Sequence, residues 1–250
     1  MDIAAPLITA IAALMTAVAW PAAALAIACL FRKEVRSAIA KIPEIFDRMK
    51  SVKIFEIEAQ LEKIADQATS GEDSKGAISP TEFIAAERIK DEVAEVGEQA
   101  IAVQLDRLCV EYDTIRREVD PSPRRTRSMT QILVRMRMLG PSMSKYMTTY
   151  MTSGSAGSRL AAVAMMQIQP EKADIDWLVR RFKEESPFVF YHAALALRNI
   201  ANNVPHLWAE VKNAANAALD IVNKFNGTPD AETVFVLKAL LRDEDSGRYV

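Results

Sequence analysis

The chain has 250 residues, with 31 Lys/Arg against 33 Asp/Glu and a formal net charge of −2. That balance supplies no global field to draw it to nucleic acid or to acidic membranes. Hydrophobic residues make up 50% and glycine numbers only 8, an inventory of helix formers that argues against a hairpin-rich β protein and predicts an all-α fold.

Residues 3–31 carry no charged side chain, and about 20 apolar residues suffice to cross a hydrocarbon core. A cleaved secretory signal needs a basic start and an apolar run of only about 7–15 residues. Here the sole early charged side chain is Asp2. The segment is therefore predicted to be a retained, single-pass transmembrane helix. Two other readings use the same residues. Ala26-Ile27-Ala28-Cys29 loosely resembles a lipoprotein attachment site, and an Ala-rich helix buried in a bundle has a similar composition.

The abrupt basic edge favours the anchor. Arg32, Lys33 and Arg36 mark the expected membrane boundary, with Lys41, Arg48 and Lys50 beyond. By the positive-inside rule the N-terminus lies outside and the rest is cytoplasmic, at an inner or plasma membrane. The basic collar then rests on anionic headgroups of the lipid bilayer. Cys29 and Cys109 sit in unlike segments and read as unpaired thiols of a reducing compartment.

Residues 32–121 are expected to form juxtamembrane helices and a long helical hairpin or coiled stalk. Pro43 predicts a break or kink near Ile42. Val52 and Ile54 alternate with charges as a short strand would, but Ile54, Ile57, Leu61, Ile64 and Ala68 form a 3-4 seam. Helix is expected from about residue 55. After the polar loop TSGEDSKGAISPTE, Ser79-Pro80-Thr81-Glu82 is a capping box with proline at the first helical position. Ile89, Val93 and Val96, then Ile101, Leu105, Leu108, Tyr112, Ile115 and Val119, recur at 4-3 spacing with one shift between the sets. They predict one long helix to about residue 119, packed on residues 55–69, within its own domain, or on a second copy in a homo-oligomer.

Asp120-Pro121-Ser122-Pro123 is the expected boundary of a third region, residues 122–250. Short helices follow with clear punctuation: Gly140-Pro141 as a stop, SGSAGS as a loop, and Gln169-Pro170, Ser186-Pro187 and Thr228-Pro229 as joints. RLAAVAMM (159–166) aligns with YHAALALR (191–198), Ala161 matching Ala193, Val163 Leu195 and Ala164 Ala196. Each is followed by a second helical stretch, with Trp177, Leu178 and Phe182 in one and Leu207, Trp208, Val211, Ala215 and Leu219 in the other. This recurrence over about 155–241 resembles HEAT-type α-solenoids, with a less regular first pair at 128–152. The resemblance implies stacked helix pairs and a protein-binding surface, and no catalytic residues. A small irregular helical bundle is the alternative.

Motifs for chemistry are sparse. There is no phosphate loop, dinucleotide fingerprint or nucleophile elbow, and no metal-ligand spacing, so neither enzyme nor cofactor is expected. His192, within FVFYHAALAL, reads as a packing histidine, and His206 as an exposed one. The concentrated basic stretch is SPRRTRSMTQILVRMRM, with Arg124, Arg125, Arg127, Arg135 and Arg137. On a helix Arg124, Arg127 and Arg135 share a face suited to phosphate groups. A solvated face, or pairing with Glu95, Glu98 or Glu111, is the plainer reading. No aromatic residues interleave, which argues against single-stranded nucleic acid.

The expected function is a membrane-anchored, cytoplasmic helical-repeat scaffold or sensor that binds a protein partner. The alternative is a membrane effector that self-associates through small residues such as Ala10, Ala13, Ala17 and Ala24 and perturbs the bilayer.

Overall fold

Side-chain caps mark where several helices of the computed structural model begin. It describes residues 20–21, 32–70, 78–227 and 230–242, and every regular element among them is a helix. They are α1 (Arg32–Thr69), α2 (Pro80–Val96), α3 (Glu98–Glu118), α4 (Pro123–Met143), α5 (Met147–Met151), α6 (Ala156–Ile168), α7 (Ile175–Glu184), α8 (Pro187–Asn203), α9 (Trp208–Asn223) and α10 (Ala231–Arg242). The Glu82 amide donates to Ser79 Oγ and the Ser79 amide to Glu82 Oε1, each at 3.2 Å, completing the capping box. Ser122, Ser155 and Asp174 cap α4, α6 and α7 in the same way.

Contacts divide the chain into Met1–Val52 and Lys53–Val250. In the first unit, the proposed span of residues 3–31 lies outside the described residues apart from Trp20 and Pro21. No helix among the described residues is long and apolar enough to cross a membrane. Of the break or kink expected near Ile42, a break is absent, since α1 is helical through Pro43.

In the second unit, α1 buries Ile57, Leu61 and Ala65, with Ile54, Ile64 and Ala68 partly covered along the expected seam. Polar links tie it to three helices: Arg88 of α2 to Gln60, Arg107 of α3 to Glu58, and Gln131 of α4 to Asp66. The single long helix expected over 80–119 is two helices. Gly97, at φ 94°, ends α2, and its amide donates to the Val93 carbonyl at 2.8 Å. Few residues but glycine take that conformation, and the shift in apolar spacing between Val96 and Ile101 records the same break.

Residue 122 marks a turn between α3 and α4, which pack on one another, and one continuous core runs from Ile57 to Leu240. Gly140-Pro141 does not stop α4, which continues to Met143. Gly140 serves a different need, because a Cβ there would stand 3.3 Å from the Met165 Cα of α6. Gly157 is tighter still, its missing Cβ lying 2.1 Å from the Cys109 carbonyl oxygen of α3. Asp113 of α3 fixes this approach by accepting from Ser155 Oγ at 2.6 Å and the Gly157 amide at 2.8 Å.

The even-numbered helices pack in a row, α2 on α4, α4 on α6, α6 on α8 and α8 on α10, while α7 packs on α8 and α9. A buried polar chain crosses the row. Arg137 Nη1 of α4 donates to Glu82 Oε2 of α2 at 3.1 Å, and its Nε to Gln167 Oε1 of α6 at 2.6 Å. Gln167 Nε2 then donates to the His192 carbonyl of α8 at 2.7 Å, and Asn199 Nδ2 returns to the Gln167 carbonyl at 3.0 Å. Arg137 and Glu82 are both fully buried.

Removing one member of such a pair strands the other charge in the core. Glu82→Ala is expected to lower the unfolding free energy by about 3–5 kcal/mol. Glu87→Ala, which removes only the exposed pair with Lys90, is expected to cost about 0–1 kcal/mol. Urea unfolding of the two variants, compared with wild type, measures the contrast.

Candidate functional site

The five arginines expected to form one anionic-partner patch on α4 are separated by the fold. Arg124 and Arg127 are exposed in the first turns of α4. Arg125 donates to the Arg116 carbonyl at 2.9 Å, near the end of α3, and Arg135 pairs with Glu111 at 2.8 Å. Arg137 is a correction to the expected patch, because it is buried against Glu82. Two residues along a helix turn the side chain by about 200°, so Arg137 faces the core while Arg135 faces the margin. Of the other acids considered as partners, Glu98 pairs with Lys145, and the Glu95 side chain lies outside the described residues. Arg32, Lys33 and Arg36, expected at the membrane boundary, lie in the first turns of α1, and their side chains also lie outside the described residues.

A cleft of about 400 Å³ opens where the N-terminal parts of three even helices meet. Thr126 and Thr130 of α4 form one wall, and Pro187, Phe188, Tyr191 and His192 of α8 the second. The third comes from Asp230 and Glu232 at the start of α10. Each group has a local reason for its place. Pro187 occupies the first helical position of α8. Thr130 Oγ1 donates back to the Thr126 carbonyl at 3.0 Å. Asp230 caps α10, its Oδ2 accepting from the Thr233 amide at 3.3 Å and from Thr233 Oγ1 at 3.1 Å.

His192 is 1% exposed. Its ring meets Phe188 edge-on at 4.6 Å and Tyr191 at 5.1 Å. Its Nδ1 is buried and makes no hydrogen bond. Burial, seconded by the nearby Arg137 charge, holds the imidazole well below its usual value of 6.5, so the ring is neutral at physiological pH. Burial likewise raises the Tyr191 phenol. The cleft thus brings together a neutral imidazole, two further aromatic rings and two carboxylates.

Two further candidate nucleophiles serve the packing of the helices. Cys109 is buried under α6, and burial pushes its thiol up to about 12. Ser155 caps α6. No three His, Cys, Asp or Glu side chains form a metal-binding group among the described residues. A second acidic groove of about 630 Å³ lies between α7 and α9, with Ile175, Val179 and Leu207 at its apolar surface and Asp174, Asp176 and Glu210 around it.

Sequence reasoning found His192 and read it as a packing group, yet missed the cleft. Thr126 and Asp230 approach it from distant parts of the chain, and no motif links them. Comparison of the chain with known protein families, curated proteins and solved structures finds no match.

The neutral histidine has a measurable consequence. Above about pH 6.5 the imidazole is neutral in both folded and unfolded chains and adds no pH dependence. As pH falls below that value, the unfolded chain takes up a proton that the folded chain refuses. Stability is therefore lost on acidification, by up to about 1.4 kcal/mol per pH unit from this group. His192→Leu is expected to flatten the fall in urea-unfolding free energy between pH 7.5 and 5.5. Equal slopes in variant and wild type would show that the ring titrates normally.

Proposed function

We propose that this chain is a HEAT-like helical-repeat module, tethered to a membrane by residues 3–31, that recognises a protein partner through its repeat surface. The observation that carries the repeat reading is the identity of two joints. Gln169 (φ −129°, ψ 70°) and Val204 (φ −129°, ψ 72°) adopt the same conformation, and each precedes a proline that opens a short 3₁₀ turn. Such a residue is steered away from helical geometry by the proline ring, so both joints turn the chain from an even helix into an odd one. The matched small residues Ala161, Ala164, Ala193 and Ala196 are all fully buried, as close stacking of α6 on α8 requires.

The groove between α7 and α9 is the surface best suited to a partner. Its apolar strip and its three carboxylates complement an amphipathic segment whose polar face is basic. The basic residues after the uncharged segment support an anchor with this module on the cytoplasmic side.

Two measurements test this reading. The full chain is expected to stay with membranes through alkaline carbonate extraction, and a variant lacking residues 3–31 to be released; release of the full chain defeats the tether. Fluorescence anisotropy is expected to show a Lys/Leu amphipathic peptide binding at least about tenfold more tightly than its Glu/Leu counterpart. Asp176→Lys with Glu210→Lys is expected to abolish that preference. Equal binding of the two peptides would remove the groove as the partner surface.

A further inference from the structure

The cleft between α4, α8 and α10 carries chemistry that a protein-binding groove elsewhere on the molecule leaves unused. We propose that it binds a small organic ammonium compound with an apolar or aromatic body. Among the described residues, the charged side chains lining it are Asp230 and Glu232. Asp230 caps α10, but a carboxylate offers about four acceptor positions, and its negative charge remains beside the opening.

The apolar lining is aromatic. Phe188 and Tyr191 present rings beside those carboxylates, and a cation near an aromatic face is attracted by the ring quadrupole. His192 adds a third ring to this lining, packed edge-on against Phe188 at 4.6 Å. Two arginines lie near the cleft among the described residues. Arg137 is committed to Glu82 and Gln167, and Arg198 acts on Tyr191 without lining the cleft.

Other ligand classes fit less well. An anion meets two carboxylates, and a neutral apolar molecule leaves them without a counter-charge. The volume of about 400 Å³ lies in the range of small-ligand pockets.

Isothermal titration calorimetry of the full chain in detergent, against micelle blanks, distinguishes these classes with three probes of one shape. Phenethylammonium is expected to bind saturably, about tenfold more tightly than 2-phenylethanol, while phenylacetate gives no binding. Glu232→Gln is expected to weaken phenethylammonium about tenfold with no change in the thermal unfolding midpoint, and the exposed control Glu171→Gln to leave it unchanged. The proposal is overturned if the alcohol binds equally well or phenylacetate binds. It is also overturned if phenethylammonium shows no saturable binding up to about 10 mM. The wild-type comparison decides the matter even if Glu232→Gln proves unstable.

Discussion

The buried charge of Arg137 governs how the other helices can pack. A guanidinium with no solvent contact is stable in a core only when its donors are satisfied. Glu82 from α2 and Gln167 from α6 meet that demand on either side of α4. Gln167 passes the constraint on, because its amide nitrogen reaches the His192 carbonyl of α8. Four helices in a row are thereby held in one register, since sliding any of them by a turn would leave a buried polar group unpaired. Glu82 also completes the capping box of α2, so one side chain starts a helix and anchors the row.

Small residues make that register attainable. Gly157 and Gly140 let α6 approach the backbones of α3 and α4 closely, and alanines do the same between α6 and α8. Leu160 to Met166 are all fully buried, which makes α6 the apolar centre around which α3, α4, α5 and α8 gather. A second buried ionic group supports the next layer. Glu185, at the end of α7, receives Arg159 of α6 and Arg181 of α7, and Arg181 also lies 4.3 Å over the Trp177 ring.

The two concave features fall on different sets of helices. The aromatic cleft belongs to α4, α8 and α10, whereas the acidic groove belongs to α7 and α9. One helix, α8, lines the cleft and also packs against α7 and α9. The neutral His192 sits on α8 for a related reason. Its carbonyl is held by the polar row while its ring faces Phe188 and Tyr191.

By itself the sequence determined the all-α class, the capping box at Ser79, the seam at Ile57 and Leu61, and the packed alanines of α6 and α8. These are local properties: cap chemistry and apolar periodicity act within a few residues and need no partner to be read. The break at Gly97 was half legible, as a shift in spacing whose cause, a positive φ, appears only in the backbone. Only the tertiary structure decided that Arg137 leaves its basic neighbours for the core, that α4 passes Gly140-Pro141, and that Thr126, His192 and Asp230 share one cleft. Each of those outcomes depends on groups distant in sequence. Glu82 stands 55 residues from Arg137, and a buried charge goes where its counter-charge is rather than where its own stretch of chain would place it.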